Sequence, residues 1–410
     1  MNEPILSPIL DPTFAPIVVE YTKYVSDVST CKDAQRVLIA LKRGDHLVSH
    51  FETVVYPVHH EQFSRSCLMV ERIIKTLLWL KGGYVVYIAG SIEIATFIQE
   101  TYAISGKQAF DASFMARVYE HPFEVVYCTI DKVPPMHEEG IPLGGHLEGY
   151  RIGFDAGGSD RKVSAVVNGR SIYSEEVIWN PKLMSDPNYH YQGILESMKT
   201  AASKMPRVDA IGVSAAGIYI DNKVMAASLF QKVSDEDFEK KIKNLFLDIA
   251  KELGDIPICV ANDGDVTALA GAMSLGKNKI LGIAMGTSQA AGYIDAAGNI
   301  TGWLNELAFV PIDIQEFAPI DPWSKDVGTG VSYFSQDAVI RLARLQGISL
   351  SPIQSPAELL AEIQVLVEEG SIKALQIFET IGTYLGYAIA YYAMFYDIDE
   401  VLLLGRVLSG

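Results

Sequence analysis

The sequence predicts an α/β protein made of two related lobes with a cleft between them, preceded by a smaller α/β region. Three observations carry that prediction. A unit of strand, glycine-rich turn and strand occurs twice, as RIGFDAGGSDRKVSAVV at 151–167 and as GIAMGTSQAAGYI at 282–294. Each is followed by further strands and helices, the pattern of a duplicated domain. The stretch VPPMHEEGIPLGGHLEG at 133–149, rich in proline, glycine and charge, reads as a linker that closes a first alternating region.

In that first region, residues 1–148, HFETVVYPV (50–58) has the composition of a strand and EQFSRSCLMVERIIKTLLWLKG (61–82) the apolar spacing of an amphipathic helix. YVVYIAG (84–90) reads as a strand, SIEIATFIQETYA as a helix and FEVVYCTI (123–130) as a strand. The first lobe, 149–270, opens with the hairpin, and GILESMKTAASKM follows as a helix. VDAIGVSAAGIYI is a buried strand entering a glycine turn, DEDFEKKIKNLFLDIAKELG a helix, and IPICVAND a strand ending on polar groups. VTALAGAMSL then reads as a helix starting near Val266, with Asp265 suited to cap it. The second lobe, 271–410, holds the second hairpin and a mainly helical remainder, closing on a long helix, a strand and the glycine turn of DEVLLLGRVLSG. Tyr384, Tyr387, Tyr391, Tyr392 and Phe395 lie at approximate helical spacing and read as core.

At 410 residues the chain exceeds one ordinary core and calls for two or three domains. With 49% hydrophobic and 20% charged residues it has the composition of a folded protein. The formal charge of −17 repels a phosphate backbone, and the first 148 residues carry 12 Lys and Arg against 18 Asp and Glu, so no basic arm is present and no nucleic acid partner is expected. Cys31, Cys67, Cys128 and Cys259 are scattered singly, which suits a reducing compartment and argues against disulfides or a cysteine zinc site. MNEPILSPILDP lacks the order of a signal peptide. The most apolar stretch, TLLWLKGGYVVYIAG, is broken by Lys81, Gly82 and Gly83, short of the ~20 residues that span a bilayer. The expectation is a cytoplasmic protein without a membrane partner.

The chemistry gathers at three places. In the first turn Asp155 ends the strand, Gly157 and Gly158 remove the Cβ atoms that keep a phosphate from the backbone, and Ser159 adds a hydroxyl. A carboxylate there can hold Mg²⁺ through water, since Mg²⁺ keeps several waters. Lys162 either adds charge to the site or lies on a solvated face. In the second turn Gly286, Thr287 and Ser288 offer bare amides and hydroxyls suited to the γ-phosphate of ATP. Either turn alone is equally a plain hairpin; the pair in one chain is the signal. Between them VANDGDVTALAG (260–271) delivers Asn262 and Asp263 to the C-terminal end of a strand, where open α/β sheets bind ligands. Asp263 is suited to take a proton from a sugar hydroxyl and Asn262 to bond a neighbouring hydroxyl, or the pair is simply the start of the helix. Trp179, Tyr189, His190 and Tyr191 read as a polar loop, a candidate for sugar contact. His59 and His60 beside Glu61 point to opposite faces of a strand and make a poor metal site.

These residues carry a resemblance. DAGGSDRKV resembles the first phosphate motif of the sugar kinase, actin and Hsp70 superfamily in the form seen in hexokinases and in the repressor, open reading frame, kinase (ROK) family. VANDGDVTAL is similar to the ROK segment that contains the catalytic aspartate, AMGTSQAAGYI to its second phosphate motif, and DEVLLLGRVLSG to its adenosine-side strand and turn. The order and spacing agree over residues 150–410. The resemblance implies two actin-like, ribonuclease H-like lobes after an acidic accessory domain, with ATP and Mg²⁺ in the cleft and a possible homodimer. It implies Asp155 near Mg²⁺ and phosphate, Gly157, Gly158 and Ser159 at the first turn, Asp263 as general base, Gly286 and Thr287 at the second turn, and Gly405 near the adenosine. GWLNELAF (302–309) stands where the family has its G-E-x-G-H segment, which makes Glu306 the glutamate on sugar hydroxyls and Asn305 a polar neighbour.

The departures are specific. Phe309 and Val310 stand where the family histidine is expected, and DPWSKDVGTG (321–330) replaces the cysteine zinc loop, so no structural zinc is expected. Gln289, Ala290 and Ala291 make the second turn poorer in glycine and narrow its phosphate space. The sequence stops at Gly410 where the family continues, so the chain is either cut short or packed by its N-terminal region instead. The first expectation is an ATP-dependent kinase of a sugar hydroxyl, of the hexose or N-acetylhexosamine type, with Asp263 as base. The alternative is a non-catalytic sugar or nucleotide sensor on the same fold, and the third an ATPase with a protein partner.

Overall fold

The computed structural model describes residues 6–408. Gly410, on which the expectation of a shortened chain rests, and the first five residues of the N-terminal stretch lie outside the described residues. The chain forms two compact units, one of residues 1–140, 279–291 and 303–410 and one of residues 141–278 and 292–302. Residues 1–140 are thus not set apart as a body of their own.

The first unit begins with α1 (Ile17–Ser29), β1 (Gln35–Lys42), β2 (Val48–Val55), α2 (Phe63–Lys81), β3 (Val85–Ala89), α3 (Ile92–Thr101), α4 (Ala109–Tyr119) and β4 (Glu124–Cys128). The strands form one sheet in the order β2-β1-β3-β4, with β1 antiparallel to both neighbours and β4 parallel to β3. The α2 helix departs from the amphipathic expectation. Its residues from Met69 to Leu80 are all buried, including Glu71, Arg72 and Lys75. These charges have partners inside the unit. Arg72 makes a two-pronged pair with Glu71 at 2.6 Å and reaches Asp326 Oδ2 at 3.0 Å. Lys75 Nζ meets Asp111 Oδ2 at 2.6 Å and Asp326 Oδ2 at 3.1 Å. Gln108 Nε2 donates to both Glu71 and Asp326. The 321–330 loop is therefore tied down by buried charge at Asp326. The 133–149 stretch is also less slack than a linker: Glu138 accepts from Arg43, Ser49 and Trp303, and His137 bridges to Val48.

The second unit holds β5 (Tyr150–Ala156), β6 (Asp160–Val167), β7 (Arg170–Ile178), α5 (Pro187–Ala202), β8 (Ala210–Ala215), the short hairpin β9 (Ile218–Ile220) and β10 (Lys223–Ala226), a single turn α6 (Asp235–Asp237), α7 (Leu245–Glu252), β11 (Ile258–Asn262) and α8 (Asp263–Leu275). Its five-stranded sheet runs β11-β8-β5-β6-β7, with β11, β8 and β5 parallel and β5, β6 and β7 antiparallel. Alternation sorts the faces. Ile152, Phe154, Ala156, Val163, Ile211, Val213 and Val260 join the core residues of α5 and α7. The expected single helix over DEDFEKKIKNLFLDIAKELG is instead interrupted by a wider turn at Phe238–Ile242 before α7. The α5 helix starts at Pro187 with Asp186 as its cap, so Tyr189, His190 and Tyr191 belong to a helix rather than a loop.

The chain returns to the first unit with β12 (Ile280–Met285), crosses to the second within β13 (Gln289–Ile294), and comes back for α9 (Val331–Phe334), α10 (Gln336–Leu345), α11 (Pro356–Glu368), α12 (Ile372–Tyr392) and β14 (Glu400–Leu404). The α10, α11 and α12 helices start on serine caps, Ser335, Ser355 in a capping box with Glu358, and Ser371. β12 and β14 are parallel neighbours in a sheet of order β13-β12-β14. Tyr384, Tyr391 and Tyr392 are fully buried, as their spacing predicted, and Thr76 of α2 shares a hydrogen bond with Tyr391 at 2.8 Å. Among the described residues, no helix is long and apolar enough to cross a membrane.

Candidate active site

In the second unit, the parallel strands β11, β8 and β5 end together, and their register builds the site. Ala261 lies beside Ser214, Ser214 beside Asp155, Asp155 beside Lys162, and Lys162 beside Glu176, a row across all five strands. Ser214 donates to Asp155 Oδ1 at 2.8 Å, which fixes the carboxylate at the strand end. One row deeper run Cys259, Gly212, Gly153, Ser164 and Ser174. These small residues floor a hollow of about 720 Å³ walled by Leu143, Val266, Leu269 and Ile300.

β11 gives way directly to α8. The helix begins at Asp263, three residues before the expected start, and its cap is Asn262 rather than Asp265. Asn262 Oδ1 accepts from Gly264 N at 2.7 Å while Nδ2 donates to Gly217 O at 2.8 Å. Its amide is committed to the helix and to the neighbouring turn. Asp265 points inward, 5% exposed, and accepts from Tyr293 N. That leaves Asp263 at the first turn of the helix, also accepting from Gly264 N at 3.0 Å. Partial burial pushes its carboxyl above the ordinary value of 3.8, opposed by the amide of Gly264 and reinforced by the negative charge of Asp155.

The first glycine turn is clamped. Trp179, 1% exposed, donates its Nε1 to Gly157 O at 2.9 Å and its backbone N–H to Ser159 O at 3.0 Å. A Cβ on Gly157 would lie 2.7 Å from Asp160 O, so the turn requires glycine there. Trp179 is therefore a support of the turn, and its ring meets His190 and Tyr189 inside the unit. Lys162 Nζ donates to Asp160 Oδ1 at 2.9 Å, and that bond holds the Asp160 carboxyl below its usual range. Lys182, which no motif singled out, has its ammonium over Gly158.

In the first unit, the second turn and Gly405, the glycine expected at the adenosine, share one sheet end. Gly286 and Ser288 close the turn by Gly286 N to Ser288 O at 2.9 Å, and Gln336 N, at the start of α10, donates to Gly286 O at 2.7 Å. Gly405 follows β14 at φ +100°, and a Cβ there would collide with the backbone of Met285 at the end of β12. Gln289 is 2% exposed, with its Oε1 against Gly330. Asn305 is buried, with its Oδ1 accepting from Tyr396 at 2.9 Å, and the amides of Asn305 and Glu306 bond the Leu80 and Trp79 carbonyls that end α2. Asn305 thus holds the segment in place, and Glu306 remains half-buried beside it.

The donor set of the second unit fits a hydrated Mg²⁺: one fixed carboxylate at Asp155 with the Ser214 hydroxyl beside it, and the Asp263 carboxylate near enough to feel its charge. Among the described residues, no group of three or more His, Cys, Asp or Glu side chains is arranged to hold a metal by itself.

No protein-family model and no curated protein sequence matches the chain. Solved structures do. A ROK hexokinase from Thermus thermophilus matches with a TM-score of 0.50 at 18% identity, covering 63% of this chain and 82% of the hexokinase. A ROK-family transcriptional regulator, a homologue of the E. coli MLC protein, matches with a TM-score of 0.50 at 18% identity, covering 63% of this chain and 65% of the regulator. These likenesses establish the fold of the matched part of the chain, which is that of the ROK hexokinase and the ROK regulator.

Proposed function

We propose that this chain is a ROK-type kinase that transfers the γ-phosphoryl group of ATP to a sugar hydroxyl, with Asp263 as general base. One observation carries the reading: a carboxylate of raised proton affinity at the N-terminus of α8, in the field of Asp155, beside a clamped glycine turn. Phosphoryl transfer asks for positioning and charge stabilisation more than covalent chemistry. The sugar oxygen forms the new bond to phosphorus, the bond from phosphorus to the bridging oxygen of ADP breaks, and the hydroxyl proton passes to Asp263. Burial raises the affinity of Asp263 for that proton, which suits a general base. Asp155 and Ser214 are assigned to hold the hydrated Mg²⁺, which supplies charge neutralisation at the phosphates. Gly157, Gly158 and Ser159 take the phosphate at the first turn; Gly286, Thr287 and Ser288 serve the second, with Gly405 at the adenosine. Glu306 is assigned to the sugar hydroxyls, while Asn262 and Asn305 act by positioning, since their side chains bond the protein itself.

A second reading is a sensor on the same fold, as in the regulator that shares it. The internal use of Asn262 and Asn305 and the pairing of Lys162 with Asp160 favour it. The 12 basic against 18 acidic residues of the first 148 speak against DNA as its output. ADP release from ATP and Mg²⁺ with a panel of hexoses, N-acetylhexosamines and polyols separates the two. Sugar-dependent release supports the kinase; sugar or ATP binding by calorimetry with no release from any sugar supports the sensor.

A further inference from the structure

We propose that Lys182 is the cation that meets the nucleotide phosphates at the first glycine turn, the role the sequence offered to Lys162; this rests on the kinase reading above. Lys162 is half-exposed and already bonded to Asp160, so the net charge it brings to the turn is small. Lys182 reaches the turn from the short helical turn Pro181–Leu183, just after β7. Pro181 is buried and Gln231 Nε2 donates to Lys182 O at 3.2 Å, so the backbone that presents the side chain is held. A Cβ built on Gly158 would lie 3.2 Å from Lys182 Cε and 3.4 Å from its Nζ, which places the ammonium over the bare face of that glycine. Among the described residues, none pairs with this ammonium. A compact, exposed ammonium beside a turn that lacks Cβ atoms is the point charge that a phosphate group accepts.

The two carbonyls that border Gly158 are occupied by Trp179, so the turn is preset while the lysine that crosses it is free to follow a ligand.

The test uses the full chain with Lys182→Met, Lys182→Arg and Lys162→Met. Affinity is measured by calorimetry for ATP and for inorganic tripolyphosphate, each with Mg²⁺, beside KM and kcat of sugar-dependent ADP release. Lys182→Met is expected to lose about ten- to a hundredfold in affinity for both probes, the value of one charged hydrogen bond. Lys182→Arg keeps most of it, Lys162→Met loses less, and melting temperatures stay together because the side chain is exposed. Unchanged binding in Lys182→Met, an equal or larger loss in Lys162→Met, or a wild type that binds neither probe overturns the assignment. Tripolyphosphate binding that depends on Lys182, without ADP release from any sugar, overturns the kinase reading and leaves the assignment standing.

Discussion

At Asp263 two environments compete. Partial burial and the charge of Asp155 disfavour ionisation, while the amide of Gly264 favours it, and burial prevails. A carboxyl with raised proton affinity holds its proton to higher pH, and as a base it works only once ionised. Turnover therefore fails on the acid side at a pH above the ordinary aspartate value of 3.8. Asp155→Asn removes a like charge and is expected to move the Asp263 titration downward, as read by carbon-13 NMR of its carboxyl group. An Asp263 that titrates at or below 3.8, or ignores Asp155→Asn, contradicts this account. The sequence placed Asp155, Asp263 and both glycine turns at strand ends correctly because strand alternation and glycine punctuation are local signals. It could not assign Asn262 and Asp265, because a cap is decided by where the helical backbone begins, and here helix α8 begins at Asp263. Lys182 was invisible for a similar reason. It follows β7, an outer strand with polar residues on both faces that gave no alternation to read.

Among the elements, α2 departs furthest from its sequence. Glu71, Arg72 and Lys75 have the look of a solvated face, and spacing alone cannot show that Arg72 finds Asp326 at a separation of 254 positions. Burial by itself would raise the Asp326 carboxyl, but Arg72 and Lys75 together hold it well below its usual range. A carboxylate depressed on folding stabilises above its unfolded value of 3.8, and that contribution fades as pH falls below it toward the folded value. Thermal melting should therefore drop steeply as pH falls below about 4. Asp326→Asn leaves the Arg72 and Lys75 charges short of a partner, costs about 3–5 kcal/mol, and flattens that pH dependence. A variant that melts like the wild type across this range contradicts a structural role for the cluster.

For the whole molecule, the strand and helix pattern restarts near residue 150 while the second unit begins at residue 141, and compactness does not follow the order of the chain. Residues 1–140 share a unit with 279–291 and 303–410 because α2 packs its charges against the 321–330 loop and its Thr76 against α12. Removing residues 1–140 is accordingly expected to leave a chain that melts in one transition, that of residues 141–278 and 292–302, with 303–410 open to limited proteolysis. Two transitions and protection of 303–410 would show that the N-terminal region is dispensable to that unit. The central claim is that Asp263 takes the proton as phosphate moves to a sugar. The most direct measurement is mass spectrometry of the phosphorylated sugar formed from ATP and Mg²⁺ by the wild type and by Asp263→Asn, with ATP affinity followed in parallel. The account predicts product from the wild type, a loss of about a hundredfold or more in its rate for Asp263→Asn, and retained ATP binding. An Asp263→Asn protein that phosphorylates the sugar as fast as the wild type contradicts it.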